Sequence, residues 1–228
     1  MAVHTDTSET SGDVKFRMNT MRVPAHEGIY ATLGKRLFDL LLVIAAAPIV
    51  LPLIAILSVL ITIGGSRPLF FQERVGRGGR TFRMVKFKTM VDDAETVLAN
   101  YLEENPEARA EWDAHQKLKN DPRITSLGRF LRKTSMDELP QFWNVFIGEM
   151  SIVGPRPMLE TQRAMYPGDA YYRMRPGITG AWQISDRNDC EFSERAGFDT
   201  QYEQMISLGT DLKILTRTVG VVVRGTGY

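Results

Sequence analysis

The chain has 228 residues, 43% of them apolar and 24% charged, and its 28 Lys and Arg against 27 Asp and Glu leave a formal net charge of +1. This length suits one domain with appendages and a sizeable core, and the balanced charge excludes both a globally basic nucleic-acid binder and an acidic disordered chain. A single cysteine, Cys190, excludes an intrachain disulfide and a Cys-based zinc site, and His4, His26 and His115 lack ligand spacing, so any metal should be a hard ion on carboxylates.

Residues 1–28 are polar, with no apolar period, and read as a mobile tail. From Leu40 to Ile63 there are 24 consecutive residues without a charge, and only Ser58 and Thr62 are polar. That exceeds the ~20 apolar residues needed to cross a bilayer. Pro48 and Pro52 fall in the middle of the run, on one helical face, where each removes a backbone hydrogen bond, so a kink is expected there. Lys35 and Arg36 precede the run and Arg67, Arg74 and Arg77 follow it. Basic residues at both flanks favour both ends on the cytoplasmic side, which a helix that dips in and returns satisfies and a straight span does not. Residues 29–66 are therefore read as a membrane-inserted re-entrant helix, and residues 67–228 as a cytosolic domain.

Pro68 to Lys88 contains two aromatic and β-branched runs around Gly76-Arg77-Gly78-Gly79, a β-hairpin pattern. Between Arg67 and Lys88 seven basic residues face one acid, Glu73, so the hairpin could meet lipid headgroups or substrate phosphates. From Asp92 to Asp113 the sign reverses, with eight acids and only Arg109, which suggests a solvated helix broken near Pro106. Arg123 to Lys133 places Ile124, Leu127, Phe130 and Leu131 at helical spacing between basic residues, the pattern of an amphipathic interfacial helix or of an ordinary core-facing one. Leu139 to Phe146 reads as another helix, Arg175 to Gln183 as a turn-rich loop, and Leu208 to Val222 as an amphipathic C-terminal helix.

Asp137 and Glu138 lie side by side ahead of the helix at Leu139. Ser135-x-x-Glu138 fits a capping box, and a carboxylate at a helix N-terminus would be kept ionised by the dipole. The surroundings also suit chemistry. Arg129, Arg132 and Lys133 precede the acids and Pro155-Arg156-Pro157 follows them. Two carboxylates among arginines beside a membrane fit a phosphate ester, with an ionised aspartate able to attack phosphorus.

The run Lys133-Thr134-Ser135-Met136-Asp137-Glu138-Leu139-Pro140-Gln141-Phe142-Trp143-Asn144-Val145, with Gly148 to Pro157 (GEMSIVGPRP), resembles the bacterial sugar transferases, the monotopic polyprenyl-phosphate phosphoglycosyl transferases. The likeness continues in Lys35 to Asp39 (KRLFD), Lys86 to Met90 (KFKTM), Asp121 to Thr125 (DPRIT) and Arg175 to Asp189 (RPGITGAWQISDRND), and runs from about residue 30 to the C-terminus. It implies a mainly α fold with a small β-hairpin, monotopic on the inner (cytoplasmic) membrane of a bacterium. The catalytic domain would sit on the cytosolic face, beside amphipathic interfacial helices. The reaction implied is transfer of a sugar-1-phosphate from a UDP-sugar to undecaprenyl phosphate, releasing UMP, as the first membrane step of exopolysaccharide or glycoconjugate synthesis. By the same resemblance Asp137 is the covalent nucleophile and Glu138 assists it. The pair would hold Mg²⁺ (Mn²⁺ as an alternative), and substrate phosphates would meet Lys86, Lys88, Arg132, Arg156 and Arg187, with Arg175 added to the substrate-binding set. The short form resembles hexose-1-phosphate transferases, so UDP-galactose or UDP-glucose is the expected donor. Partners would be membrane lipids and downstream glycosyltransferases, with no nucleic acid.

Three departures stand out. Leu51-Pro52 occupies the place of the family's Ser-Pro bend, with Pro48 an additional break; Asp186 stands where glycine is usual; and only a polar tail precedes the membrane segment. Two competing readings are a catalytically inactive membrane-anchored adaptor of a polysaccharide assembly complex and a hydrolase using water as acceptor.

Overall fold

The computed structural model describes residues 28–115, 118–185 and 192–223; the tail expected at 1–28 falls, but for Gly28, outside the described residues, as does Arg187. A π-helical turn, Tyr30–Gly34, leads into α1, Lys35–Ile63. Helix α1 runs without interruption through Pro48 and Pro52, so the prolines do not end the helix as a broken element would.

The burial pattern of α1 is informative. Its buried residues are Asp39, Val43, Leu57 and Ile61, four positions on one stripe, near the two ends. Val43 joins a cluster with Met84, Val145, Met150 and Ile152, while Leu57 and Ile61 join Phe87 and Leu131. Between them Ile44, Ile49 and Leu51 are exposed, at 59%, 75% and 63%. The two ends of one apolar helix thus dock on the same body, and the middle carries bare aliphatic surface.

The hairpin forms as its sequence predicts. Strands β1, Leu69–Val75, and β2, Thr81–Phe87, pair antiparallel with Leu69 opposite Phe87 and Val75 opposite Thr81. Gly78 and Gly79 take φ of 70° and 74° in the turn, which side chains disfavour. The acidic stretch is two helices, α2, Ala94–Glu104, and α3, Pro106–His115, divided at Asn105 ahead of the proline.

Helix α4, Ser126–Lys133, starts at Thr125, whose hydroxyl accepts the Gly128 N–H at 2.9 Å, a cap contributing about 1 kcal/mol. A Cβ at Gly128 would stand 2.1 Å from the Thr89 carbonyl oxygen, so only glycine lets α4 rest on the segment that follows the hairpin. Leu131 is fully buried, whereas Phe130 is 52% exposed, so the expected apolar stripe divides between core and surface. Helix α5, Gln141–Ile147, ends at Gly148 with φ 88°. Its last carbonyls are capped by Arg36, which donates to Val145 and Phe146 oxygens at 2.6 and 2.8 Å.

A second, parallel sheet was not expected from the sequence. Strand β3, Ser151–Val153, pairs with β4, Gly177–Thr179, inside what reads as a turn-rich loop. Cβ atoms at Gly154, Gly177 and Gly180 would come within 2.4, 2.2 and 2.0 Å of backbone atoms, so these glycines let the Pro155-Arg156-Pro157 loop lie against the segment bearing Trp182. The short α6, Ala170–Arg173, then α7, Arg195–Gln204, and α8, Leu208–Val223, complete the body.

Candidate active site

The dyad does not sit on a capped α-helix. After α4 the chain turns through Ser135 at φ 54°, the only non-glycine residue with positive φ among the described residues. Asp137 and Glu138 occupy a 3₁₀ turn, Met136–Glu138, closed by Glu138 N–H to the Ser135 carbonyl at 3.2 Å. Ser135 makes no side-chain cap, so the capping box is not formed: its left-handed backbone is incompatible with the extended geometry a cap needs. For Asp137 the net direction is opposite to the one expected from a helix dipole. Burial pushes the Asp137 pKa up, the neighbouring Glu138 charge pushes it further, and Lys86 and Arg132 oppose both.

Three elements bring the cations in. Lys86 projects from β2 and its Nζ meets Glu138 Oε1 at 2.7 Å, with the side chains 21% and 23% exposed. Asn144 fixes this register: its amide oxygen accepts the Val85 N–H at 3.0 Å, and its nitrogen donates to the Arg83 carbonyl at 2.9 Å and Glu149 at 2.7 Å. The wholly buried Asn144 thereby ties the helix after the dyad to the strand bearing Lys86. Arg132, near the end of α4, donates from Nε to Thr89 Oγ1 at 2.9 Å. Burial lowers its pKa and Asp137 raises it, a guanidinium held next to the candidate nucleophile. Asp121 and Arg123 brace this side through a two-point pair at 2.8 and 2.6 Å, with Arg123 over the Trp112 ring at 5.1 Å.

Arg156 lies over Trp182, its guanidinium carbon 5.7 Å from the ring centroid. Two arginines outside the predicted site set share this region. Arg74, at the end of β1, donates to the Pro157 carbonyl at 3.2 Å and to Gln72 at 2.5 Å. Arg195, at the start of α7, stacks on Trp182 at 4.1 Å and Phe192 at 4.5 Å. Burial, then the charge of Arg156, pushes the pKa of both down to about 10; Glu138 pulls Arg74 the other way.

Of the other predicted site residues, Lys88 pairs with Asp92. Arg175 donates to the Gly148 carbonyl at 2.9 Å, and its charged neighbours are Arg77, Arg36 and Asp39, at the foot of α1 and not at the dyad. Among the described residues no group of three or more His, Cys, Asp or Glu converges as a metal centre, which leaves the adjacent Asp137 and Glu138 as the carboxylates available here. Mg²⁺ typically takes one or two carboxylates and completes its shell with substrate phosphates and water, so this pair fits it.

A family model described as bacterial sugar transferase matches residues 30–225. The chain is 48% identical over 195 residues to the UDP-galactose-lipid carrier transferase of Erwinia amylovora, covering 85% of this chain and 41% of that protein. It is 46% identical over 195 residues to the undecaprenyl-phosphate galactose phosphotransferase of Salmonella typhimurium, covering 85% and 41%. It thus spans about two fifths of the length of these two relatives. Against the exopolysaccharide production protein ExoY of Rhizobium meliloti it is 42% identical over 211 residues, covering 90% of this chain and 93% of ExoY. With the model match spanning nearly the whole chain, the protein belongs to the bacterial sugar transferase family.

Proposed function

We propose that this protein is a phosphoglycosyl transferase that moves hexose-1-phosphate from UDP-galactose or UDP-glucose to undecaprenyl phosphate, initiating exopolysaccharide or related glycoconjugate synthesis. The observation that carries the reading is the Asp137–Glu138 turn held between Lys86 and Arg132. The names of the relatives supply the galactose, the UDP donor and the lipid carrier.

In the first half-reaction an oxygen of the Asp137 carboxylate attacks the sugar-linked phosphorus. The bond to the bridging oxygen breaks and UMP leaves with the electron pair. The phosphosugar stays bonded to Asp137 as an acyl phosphate. In the second, an oxygen of undecaprenyl phosphate attacks the same phosphorus and the carboxylate departs. Lys86 and Arg132 offset charge gathering on the phosphoryl oxygens. Lys86 also holds Glu138 in place. Asp137 and Glu138 would hold Mg²⁺ or Mn²⁺, which would supply Lewis-acid stabilisation of phosphate charge.

Helix α1, with the turn before it, is long and apolar enough for a bilayer. Docking of both its ends on one body supports re-entry into the cytoplasmic membrane, with residues 67–228 on the cytosolic face.

The test is UMP release from a panel of UDP-sugars with undecaprenyl phosphate, comparing wild type with Asp137→Asn. An amide is no substitute nucleophile, so the variant should lose transfer and covalent labelling by radioactive donor. Turnover within tenfold of wild type would overturn the mechanism. UMP release without lipid acceptor at the full rate would favour a hydrolase.

A further inference from the structure

We infer that Arg74 and Arg195 join Arg156 in a second anion seat, distinct from the Lys86–Arg132 side of the dyad, which binds the phosphate of the departing nucleotide. This rests on the UDP-sugar reading above and deepens it.

Three guanidinium groups come together here from separate parts of the chain: the end of β1, the loop after β3 and the start of α7. None of the three forms an ion pair with a carboxylate among the described residues. Arg156 and Arg195 both lie over the Trp182 ring, at 5.7 and 4.1 Å, and line one cavity with it. Gathering like charges in a half-buried place costs energy that the cation–π contacts, about 0.5–2 kcal/mol each, offset only in part.

A second observation is independent of the charges. The Nε atoms of Arg74 and Arg195 and the Nε1 of Trp182 are buried without a hydrogen-bond partner, and Trp182 itself is only 9% exposed. Buried donors are nearly always satisfied, and several orphaned donors in one place mark a missing acceptor. The carboxylate whose charge acts on Arg195 is Asp199. It accepts the Tyr166 hydroxyl at 2.9 Å, and burial pushes its pKa up to about 7, so near neutral pH it is only a partial counter-charge. An acceptor with several oxygens and negative charge satisfies both deficits, and a phosphate has that chemistry.

The position selects which phosphate. Arg74 feels the charges of both Glu138 and Arg156, so the seat lies within electrostatic reach of the dyad. With the sugar-linked phosphorus at Asp137, the next anion along the donor is the phosphate that leaves on UMP. Charge on that phosphate rises as the bridging bond breaks, so the seat would favour departure as well as binding.

The experiment is competitive inhibition of full-length enzyme by UMP and, separately, by uridine. Arg195→Gln should raise the UMP inhibition constant at least tenfold and raise KM for the UDP-sugar, while leaving the weaker uridine inhibition within twofold. Arg74→Gln should act in the same direction. Should the glutamine variant of Arg195 fail to fold, Arg195→Lys takes its place, with a loss of threefold or more for UMP alone. An unchanged UMP constant in the folded variant, or equal losses for UMP and uridine, would overturn the seat. Wild-type enzyme that neither releases nor binds UMP would instead overturn the UDP-sugar reading itself.

Discussion

Lys35 and Asp211, 176 residues apart in sequence, meet at 2.7 Å and fasten the foot of α1 to α8. Asp211 is wholly buried and also accepts the hydroxyls of Tyr30 and Tyr202, each at 2.7 Å. One turn along α1, the equally buried Asp39 accepts Ser151 Oγ and the Ile152 N–H, at 2.8 and 3.0 Å, and lies 4.0 Å from Lys35. One ammonium therefore serves two enclosed carboxylates. Removing it strands both, at a cost of about 3–5 kcal/mol by analogy with other broken buried pairs. Lys35→Met should lower the unfolding midpoint in detergent sharply, and adding Asp211→Asn should recover part of the loss, because the amide removes one stranded charge and its oxygen still accepts one of the two tyrosine hydroxyls, which reach different carboxylate oxygens. A Lys35→Met midpoint equal to wild type would show that the clasp contributes nothing.

The pKa directions at the dyad give a second expectation. A nucleophilic Asp137 must be ionised, so kcat/KM should fall as pH drops through its raised pKa. Glu138 raises that pKa and Lys86 lowers it. Glu138→Gln should therefore move the acid limb to lower pH, and Lys86→Met to higher pH, whatever each does to the plateau. Profiles of the two variants measured with saturating lipid acceptor check the signs, and limbs that shift together would refute the electrostatic account. No capping loss of stability is expected of Glu138→Gln, since the capping box is absent.

The dyad, the hairpin and the split acidic helices were legible because each has a local signature: adjacent acids, turn glycines between β runs, a proline at a helix start. What was not legible depends on tertiary approach. Arg74 read as one more charge on a basic hairpin, and Arg195 lay in a stretch without a motif; only folding brings both near Arg156. Strands β3 and β4 are three residues each, too short to display a period of two. Asp211 interrupts the expected apolar face of α8, and its partner Lys35 reads in sequence as a flanking charge at the start of KRLFD, with nothing to pair it with a helix 176 residues away. The left-handed Ser135 ahead of the dyad has no sequence signal, because serine there looks like a cap.

Arg156→Lys should not be conservative. The guanidinium is held over Trp182, and its planar fork suits bidentate phosphate contact, whereas lysine supplies a point charge. A loss of one to three orders of magnitude in kcat/KM, about 1.4–4 kcal/mol, is expected. Equal activity with lysine would rule out the bidentate role.

Metal dependence follows from the two-carboxylate donor set. Transfer should stop in EDTA and return with Mg²⁺ or Mn²⁺, and Zn²⁺ should restore it poorly. Full activity after exhaustive chelation would leave Lys86, Arg132 and the arginine seat as the sole counter-charges to the substrate.

The topology of α1 can be read directly. Asp39 and Val43 near its start and Leu57 and Ile61 near its end are buried against the same body. At 1.5 Å per residue a straight helix separates Asp39 from Ile61 by about 33 Å, comparable to the hydrocarbon thickness of a bilayer. A spanning α1 would carry one of these ends to the far side, beyond reach of its partners. Exposed aliphatic side chains run along α1, Leu41, Ile44, Ile49, Leu51, Ile56 and Val59 among them, and under re-entry these are the groups lipid would cover. Pro48 and Pro52 lie in the middle of α1, where each lacks an N–H and frees a carbonyl one turn back, so bending there costs fewer hydrogen bonds than elsewhere. Gly28→Cys and Ser66→Cys, each in a Cys190→Ser background, should both resist a membrane-impermeant thiol reagent in intact spheroplasts and react after lysis. Replacing both prolines by leucine should straighten α1, strain the packing of Leu57 and Ile61 on Phe87 and Leu131, and make a fraction of Gly28→Cys molecules reactive from outside. Outside labelling of Gly28→Cys with both prolines in place would show that the helix spans, and re-entry would have to be abandoned.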